Sequence, residues 1–232
     1  MRSDARAPDE PEPRTVVARA SDERGEIALA RRGDVTELIV NGAFAMDTVH
    51  TATERALATL ALDRLAGTDL HVLVGGLGLG FTARALLADP RVSHVEVVEL
   101  HAPLVEWARD GLVPPIAGLL DDPRLSVTVG DVLDVVPALP HGRLDAVLLD
   151  VDNGPGFLIH ERNTEVYRRQ FLAAAVRALV SGGMVAFWSA DPSPELAEEL
   201  AAVADATEAV TLDVERDGRA FTYTVYLGRR GG

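Results

Sequence analysis

Residues 72–80, Val-Leu-Val-Gly-Gly-Leu-Gly-Leu-Gly, form a short apolar run that breaks into glycines and leads into the helix-compatible stretch 81–88. A buried parallel strand reads this way when it ends in a tight turn that brings backbone against a nucleotide-like ligand. A second apolar run, Val95-Glu96-Val97-Val98, ends in Glu99. An acid at the tip of the second strand can accept hydrogen bonds from two ribose hydroxyls. Glycine loop and acid together point to an adenosine site, although a glycine turn also occurs where a helix merely packs close to a sheet.

Two cofactor classes compete for the loop. A nicotinamide or flavin site needs G-x-G-x-x-G/A, and Gly78, Gly80 and Ala83 supply it only if Gly75 and Gly76 are left unexplained. The S-adenosyl class needs G-x-G-x-G, which Gly76, Gly78 and Gly80 supply directly. The second class is the better fit, with Leu79 inside the loop.

The rest of the chain decides what surrounds the loop. Residues 1–14 are charged, hold Pro8, Pro11 and Pro13, and read as a disordered tail. Three β-type runs at 15–20, 26–30 and 35–40 suggest a small antiparallel meander over 15–47. Asp47 or Thr48 is placed to cap a helix reaching about residue 66 and ended by Gly67. Strands at 70–74, 94–99, 124–129, 144–149 and 183–188 then alternate with helices at 81–88, 102–109, 132–138, 164–180 and 194–204. Two last strands at 207–214 and 219–227 close the chain through Asp217-Gly218.

Such alternation predicts an α/β fold over 48–232: a mostly parallel Rossmann-like methyltransferase sheet, helices on both faces, and a C-terminal antiparallel hairpin. Ligands of such a sheet bind outside the carboxyl ends of its strands.

Composition removes several chemistries. There is no cysteine, hence no disulfide, thiolate nucleophile or zinc–thiolate site, and the six histidines lack metal-ligand spacing. All 22 basic residues are arginine, which excludes lysine Schiff bases and a Walker-type lysine. A formal charge of −14 argues against a nucleic-acid partner. The apolar runs are strand-length, so neither a signal peptide nor a membrane span is expected, and the expected compartment is the cytoplasm.

Two further acids fall at strand ends. Asp131, in Val129-Gly130-Asp131-Val132, is placed either to meet an adenine amine, directly or through its backbone, or to cap the helix at 132–138. Asp150-Val151-Asp152-Asn153-Gly154-Pro155 follows the fourth strand and is expected to face the reacting centre. There Asp150 either takes a proton or only closes the turn, while Asp152 or Asn153 orients an acceptor. Tyr167 and Trp188 are candidates for walls of the acceptor pocket or for core.

The order G-x-G-x-G, Val97-Val98-Glu99, Gly130-Asp131-Val132, Leu144 to Asp150, Tyr167 to Phe171 and Leu179 to Gly183 resembles the spermidine synthase family over residues 35–227. The resemblance implies the class I S-adenosylmethionine methyltransferase fold and an S-adenosyl donor. It further implies Gly76, Gly78, Gly80, Glu99 and Asp131 as adenosyl contacts and Asp150 as the base that deprotonates an attacking amine.

Three departures accompany it. The loop Asp that grips the donor's propylamine in the family is read here as Leu79, the second catalytic-loop Asp as Asn153, and the Gln and Tyr-His-Glu signatures are not recognisable between Phe44 and Arg55. Loss of the loop Asp makes ordinary S-adenosylmethionine acceptable, which favours methyl transfer to a small molecule. The alternatives are aminopropyl transfer from decarboxylated S-adenosylmethionine to a polyamine, and a non-catalytic nucleotide-binding protein. The expected partners are a small-molecule acceptor, an amine among the candidates, and a second copy of the chain in a homodimer, with no metal, nucleic acid or membrane.

Overall fold

The computed structural model describes residues 12–216 and 219–232. The turn expected at Asp217-Gly218 and residues 1–11 of the expected tail lie outside them. At the described end of that tail, Arg14 Nε pairs with the buried Glu37 Oε2 at 2.5 Å.

The N-terminal segment is a four-stranded antiparallel sheet in the order β1 (Thr15–Asp22), β2 (Gly25–Arg32), β3 (Val35–Val40) and β4 (Ala43–Asp47). The fourth strand was not among the three runs read from the sequence. Ala43–Asp47 carries one charge and no strict alternation, and β3 recruits it across a tight turn at Asn41-Gly42, both in the left-handed region (φ 51° and 77°).

Asp47 therefore ends a strand instead of opening a helix. Its Oδ1 accepts from Val49 N (2.9 Å) and His50 N (2.8 Å), a side-chain turn that competes with helix formation. The helix α1 (Ala52–Leu62) starts later, after Thr51.

The main sheet has seven strands: β5 (Leu70–Gly75), β6 (Val92–Glu99), β7 (Leu125–Val129), β8 (Leu144–Leu149), β9 (Leu179–Ser189), β10 (Ala206–Arg216) and β11 (Arg219–Arg229). Its order is β10-β11-β9-β8-β5-β6-β7. Strands β5 to β9 pair in parallel, whereas β11 runs antiparallel to both β9 and β10. From β5 the order runs through β6 and β7 to one side and returns to β8 and β9 on the other, which makes the carboxyl end of β5 the switch point where such sheets bind ligands.

Helices α2 (Phe81–Leu87), α3 (Ala102–Arg109), α4 (Val132–Ala138), α5 (Arg169–Ala178) and α6 (Pro194–Ala201) connect the strands. Both sheet faces are covered, and period-two alternation along β5 splits the core. Val72 and Val74 join Leu57, Ala61, Leu86 and Leu104 on one face, while Leu73 joins Val136, Val147, Leu172 and Phe187 on the other.

The largest departure from the sequence reading is at 161–189. In place of one helix over 164–180, a 3-10 segment Glu161–Tyr167 precedes α5, with Arg168 extended between them (φ −89°, ψ 148°). The break lets Tyr167 turn its ring into the core, 6.4 Å from that of Phe187. Strand β9 also begins earlier, because Gly182-Gly183 is absorbed where its register with β8 shifts. A Cβ at Gly183 would lie 2.9 Å from the Asp145 carbonyl oxygen. Among the described residues no helix is long and apolar enough to cross a membrane.

Candidate active site

Parallel pairing places the ends of β5, β6 and β8 side by side. Gly75 is opposite both Val98 and Leu149, Gly76 N donates to Val98 O (2.8 Å), and Asp150 N donates to Gly75 O (3.0 Å). The glycine loop, Glu99 and Asp150 thereby meet at one point. Gly76 has φ 95°, and a Cβ on it would run into the Asp150 carbonyl oxygen, so this position requires glycine.

A cavity of about 120 Å³, partly open to solvent, lies over these ends. Gly76, Gly78, Glu99, Asp131, Asp150, Asp152 and Asn153 all line it. The N-terminal sheet forms the opposite wall through Ile27, Leu38, Val40, Ala45 and Met46. That sheet therefore completes the site and is not an appendage to it.

Two loop positions point elsewhere. Leu79, read from the sequence as a donor-facing position, is 0% exposed and packed in the apolar core, outside the cavity wall. Only its backbone N–H turns back, 3.0 Å from Met46 Sδ. Gly80 (φ 78°) is also absent from the wall, since its Cβ position faces Ile116 and Leu119 at 3.0 Å. The segment around Pro114–Ile116 thus packs behind the glycine loop. Gly78 is the loop residue whose missing side chain faces the cavity; a Cβ there would sit 2.7 Å from Met46 Sδ.

Each acid has a distinct environment. Glu99 is 5% exposed, with Oε2 accepting from Leu77 N and Oε1 from His101 N, both at 2.8 Å. Burial raises its pKa, and the backbone N–H groups of His101, Leu77, Gly78 and Leu100 oppose the rise. The carboxylate lines the cavity, where its oxygens are placed to accept from a hydroxyl. Asp131 caps α4 by accepting from Leu133 N (2.8 Å), and its other oxygen pairs with Arg162 Nη1 (2.7 Å).

Asp152 is 6% exposed and holds its own loop: its carboxylate accepts from Ile159 N and, at 2.8 Å, from Asn163 Nδ2. It holds this loop from within the cavity wall. Asp150 accepts from the Thr82 hydroxyl (3.2 Å), and burial pushes its pKa up to about 6 against that bond. Burial likewise raises Asp152 to about 6. Asn153 joins the site, its backbone oxygen accepting from Ala190 N (3.0 Å).

A second, larger cleft of about 610 Å³ adjoins the first. The tip of β4, the start of α1 and the β10–β11 hairpin form it, and Trp188 and Tyr223 stack in its wall with ring centroids 5.2 Å apart. Trp188 is thus a wall residue, whereas Tyr167 is core. Ala45, Met46, Glu54, Asn153 and Trp188 line both spaces.

Sequence reasoning missed Glu54, Met46 and a histidine pair. His101 and His160 meet Nε2 to Nε2 at 3.2 Å in the cavity wall. Burial lowers the pKa of both, and the neighbouring His160 lowers that of His101 further. Glu54 did leave a signal: Glu54, Leu57, Ala58 and Ala61 form the buried i, i+3, i+4, i+7 stripe of α1, and an acid in such a stripe has a reason to be there.

These raised pKa values give the cavity a pH-dependent charge. Below about pH 5 Asp150 and Asp152 are mostly protonated, and above about 7 they are anionic. A bound cation favours the ionised forms, so it releases protons and binds more tightly as pH rises. Affinity for a sulfonium nucleoside is expected to rise about tenfold between pH 5 and 7.5, the equivalent of one pKa unit. Affinity for the corresponding uncharged thioether nucleoside should stay flat. Calorimetric titration of both checks this, and equal slopes would show that the two acids do not face the bound cation.

The fold is Rossmann-like, with its cavity at the carboxyl ends of the central parallel strands. The sequence matches the profile of the Spermine/spermidine synthase domain over residues 52–214, and the chain belongs to that family. A polyamine aminopropyltransferase of Mycobacterium tuberculosis is 32% identical over 169 residues, which span 72% of this chain and 31% of that protein. A putrescine N-methyltransferase of Nicotiana tabacum is 31% identical over 116 residues, 49% of this chain and 28% of that protein. The chain thus spans about a third of the length of these relatives.

Among solved structures, a spermidine synthase in complex with the transition-state analogue AdoDATO superposes with a TM-score of 0.79 at 18% identity, over 93% of this chain and 74% of that one. The spermidine synthase of Thermotoga maritima gives 0.76, also at 18% identity, over 93% and 72%. At that identity the likeness is one of fold.

Proposed function

We propose that this chain transfers an aminopropyl group from decarboxylated S-adenosylmethionine to an amine of a polyamine. The ionisable lining of the donor cavity carries the reading. Among the described residues it consists of the carboxyl groups Glu54, Glu99, Asp131, Asp150 and Asp152 and two histidines whose pKa values are lowered, with no arginine. A donor ending in a carboxylate would find no cation there, whereas one with a sulfonium and a terminal ammonium is electrostatically matched. The 32% identity to a polyamine aminopropyltransferase points the same way.

In this reading Glu99 accepts hydrogen bonds from the ribose hydroxyls, and Gly76 and Gly78 let the loop backbone approach the adenosyl group. Asp131, already committed to its helix cap and Arg162, meets the adenine side through its backbone. The acceptor nitrogen attacks the carbon bonded to sulfur in line with the C–S bond, whose electron pair leaves with a neutral thioether. Positive charge moves from sulfur to nitrogen, and Asp150 stabilises it there and takes the proton that the amine must lose.

Methyl transfer from S-adenosylmethionine remains the second reading, favoured by the bare Gly78 in the wall and by the 31% identity to a putrescine N-methyltransferase. Incubation with putrescine and each donor in turn, followed by mass analysis, separates them. An aminopropylated product from the decarboxylated donor, with little product from S-adenosylmethionine, is expected. N-methylputrescine as the main product would reverse the assignment.

A further inference from the structure

Asp150 lies in the wall of the donor cavity but not in that of the outer cleft, so a proton it takes from the acceptor needs a way out once the donor fills the space above it. Among the described residues the acids of the outer cleft are Asp47, Glu54, Asp213 and Glu215, and those of the donor cavity are Glu54, Glu99, Asp131, Asp150 and Asp152. One acid belongs to both sets. We propose that Glu54 is a second proton acceptor of the reaction, receiving the amine's proton from Asp150 and releasing it to water in the outer cleft.

This rests on group transfer to an amine as proposed above, with either donor. The step balances: the amine N–H breaks as an O–H forms on Asp150, that proton passes to the Glu54 carboxylate, and the Glu54 O–H then gives it to water in the outer cleft, which restores both carboxylates.

The local arrangement suits the task. Glu54 is 9% exposed and lies in the first turn of α1, where Thr53 Oγ1 donates to its Oε2 at 2.9 Å. The Thr82 hydroxyl stands between the two acids' segments, 3.2 Å from Asp150 Oδ2 and 3.3 Å from the Glu54 carbonyl oxygen. Facing Glu54 are Asp150 from the end of β8, Asp47 paired with His50 (3.2 Å) after β4, and Asp213 and Glu215 across the cleft on β10. The neighbouring Arg55 lies over the Phe81 ring, 5.9 Å from its centroid.

Burial first, then the Asp150 charge, raises the Glu54 pKa to about 7, a unit above that of Asp150. The two acids titrate as a pair, with both carboxylates free only above about pH 7.

The test is the pH profile of single-turnover transfer to putrescine for the wild type, Glu54→Gln and Glu54→Asp, with binding of the thioether nucleoside as a control for folding. The wild-type rate is expected to rise through about pH 7, where Glu54 ionises. In Glu54→Gln that limb should drop to about 6, leaving only Asp150, with the rate at pH 8 roughly tenfold to 10²-fold lower. Glu54→Asp should restore the upper limb and most of the rate.

A Glu54→Gln enzyme with the wild-type limb and rate would overturn the proposal and leave the transferase reading standing. A wild type that transfers nothing to an amine from either donor would overturn both. Loss of rate in Glu54→Gln without movement of the limb would assign Glu54 a structural role and also overturn the proposal.

Discussion

Asp150→Asn is expected to lower the rate of group transfer about 10²–10⁴-fold, the usual contribution of a positioned acid or base. Asparagine keeps the shape of the side chain and can still accept the Thr82 hydroxyl, so the strand end and glycine loop should stay in place. Only the charge is lost. Sulfonium binding at pH 8 should weaken by about 1.5–3 kcal/mol, the scale of a hydrogen bond to a charged group, and the loss should shrink towards pH 5, where wild-type Asp150 is already protonated.

Binding of the neutral thioether nucleoside should not change, because no charge on it answers the carboxylate. Single-turnover rates and calorimetry on the same preparations check the three expectations together. A variant that turns over at the wild-type rate would remove Asp150 from the chemistry, whatever its place in the cavity.

Much of this centre was legible in the sequence because it is local in the chain. A strand, a glycine turn and an acid at the next strand tip have fixed spacings, and parallel pairing then brings Gly76, Glu99 and Asp150 together. The alternation of strands and helices was readable for the same reason: Ala102–Arg109, Val132–Ala138 and Leu144–Leu149 fall where their patterns place them.

What failed was long-range. Periodicity suggests one helix through Arg168, but burial of Tyr167 against Phe187 breaks it. Ala43–Asp47 has little strand character, and its neighbour β3 makes it a strand. The wall contributed by Ile27, Leu38 and Val40 is a packing of two sheets that no motif encodes. Glu54 lay within reach, since an acid on an apolar helical stripe is visible in one chain. Its partners Asp150 and Thr82 were not, because they come from other elements of the sheet.

Leu79 shows how a motif position can mislead and yields the sharpest stability prediction. Aligning the glycine loop by its spacing puts Leu79 where a donor-gripping acid would sit, and by that logic Leu79→Asp should attract an ammonium. The side chain instead is fully buried among apolar neighbours behind the loop. Leu79→Asp must bury a carboxylate with no partner or keep it protonated, and it also loses about 1.5–3 kcal/mol of apolar burial. A loss of about 4 kcal/mol or more is expected, read as an early denaturant midpoint and loss of all nucleoside binding, not a change of donor preference.

Gly78→Asp is the matched comparison, because that position faces the cavity and its φ of 50° lies in the left-handed region that aspartate tolerates. Its Cβ would crowd only the thioether end of Met46, a flexible side chain able to move. This variant should fold and should favour the decarboxylated donor over S-adenosylmethionine by a further 10- to 150-fold, the ratio for about 1.5–3 kcal/mol of one charge contact. If Leu79→Asp folds with wild-type stability and shifts donor preference while Gly78→Asp does not, the loop presents the other residue to the donor, and the orientation described for it is wrong.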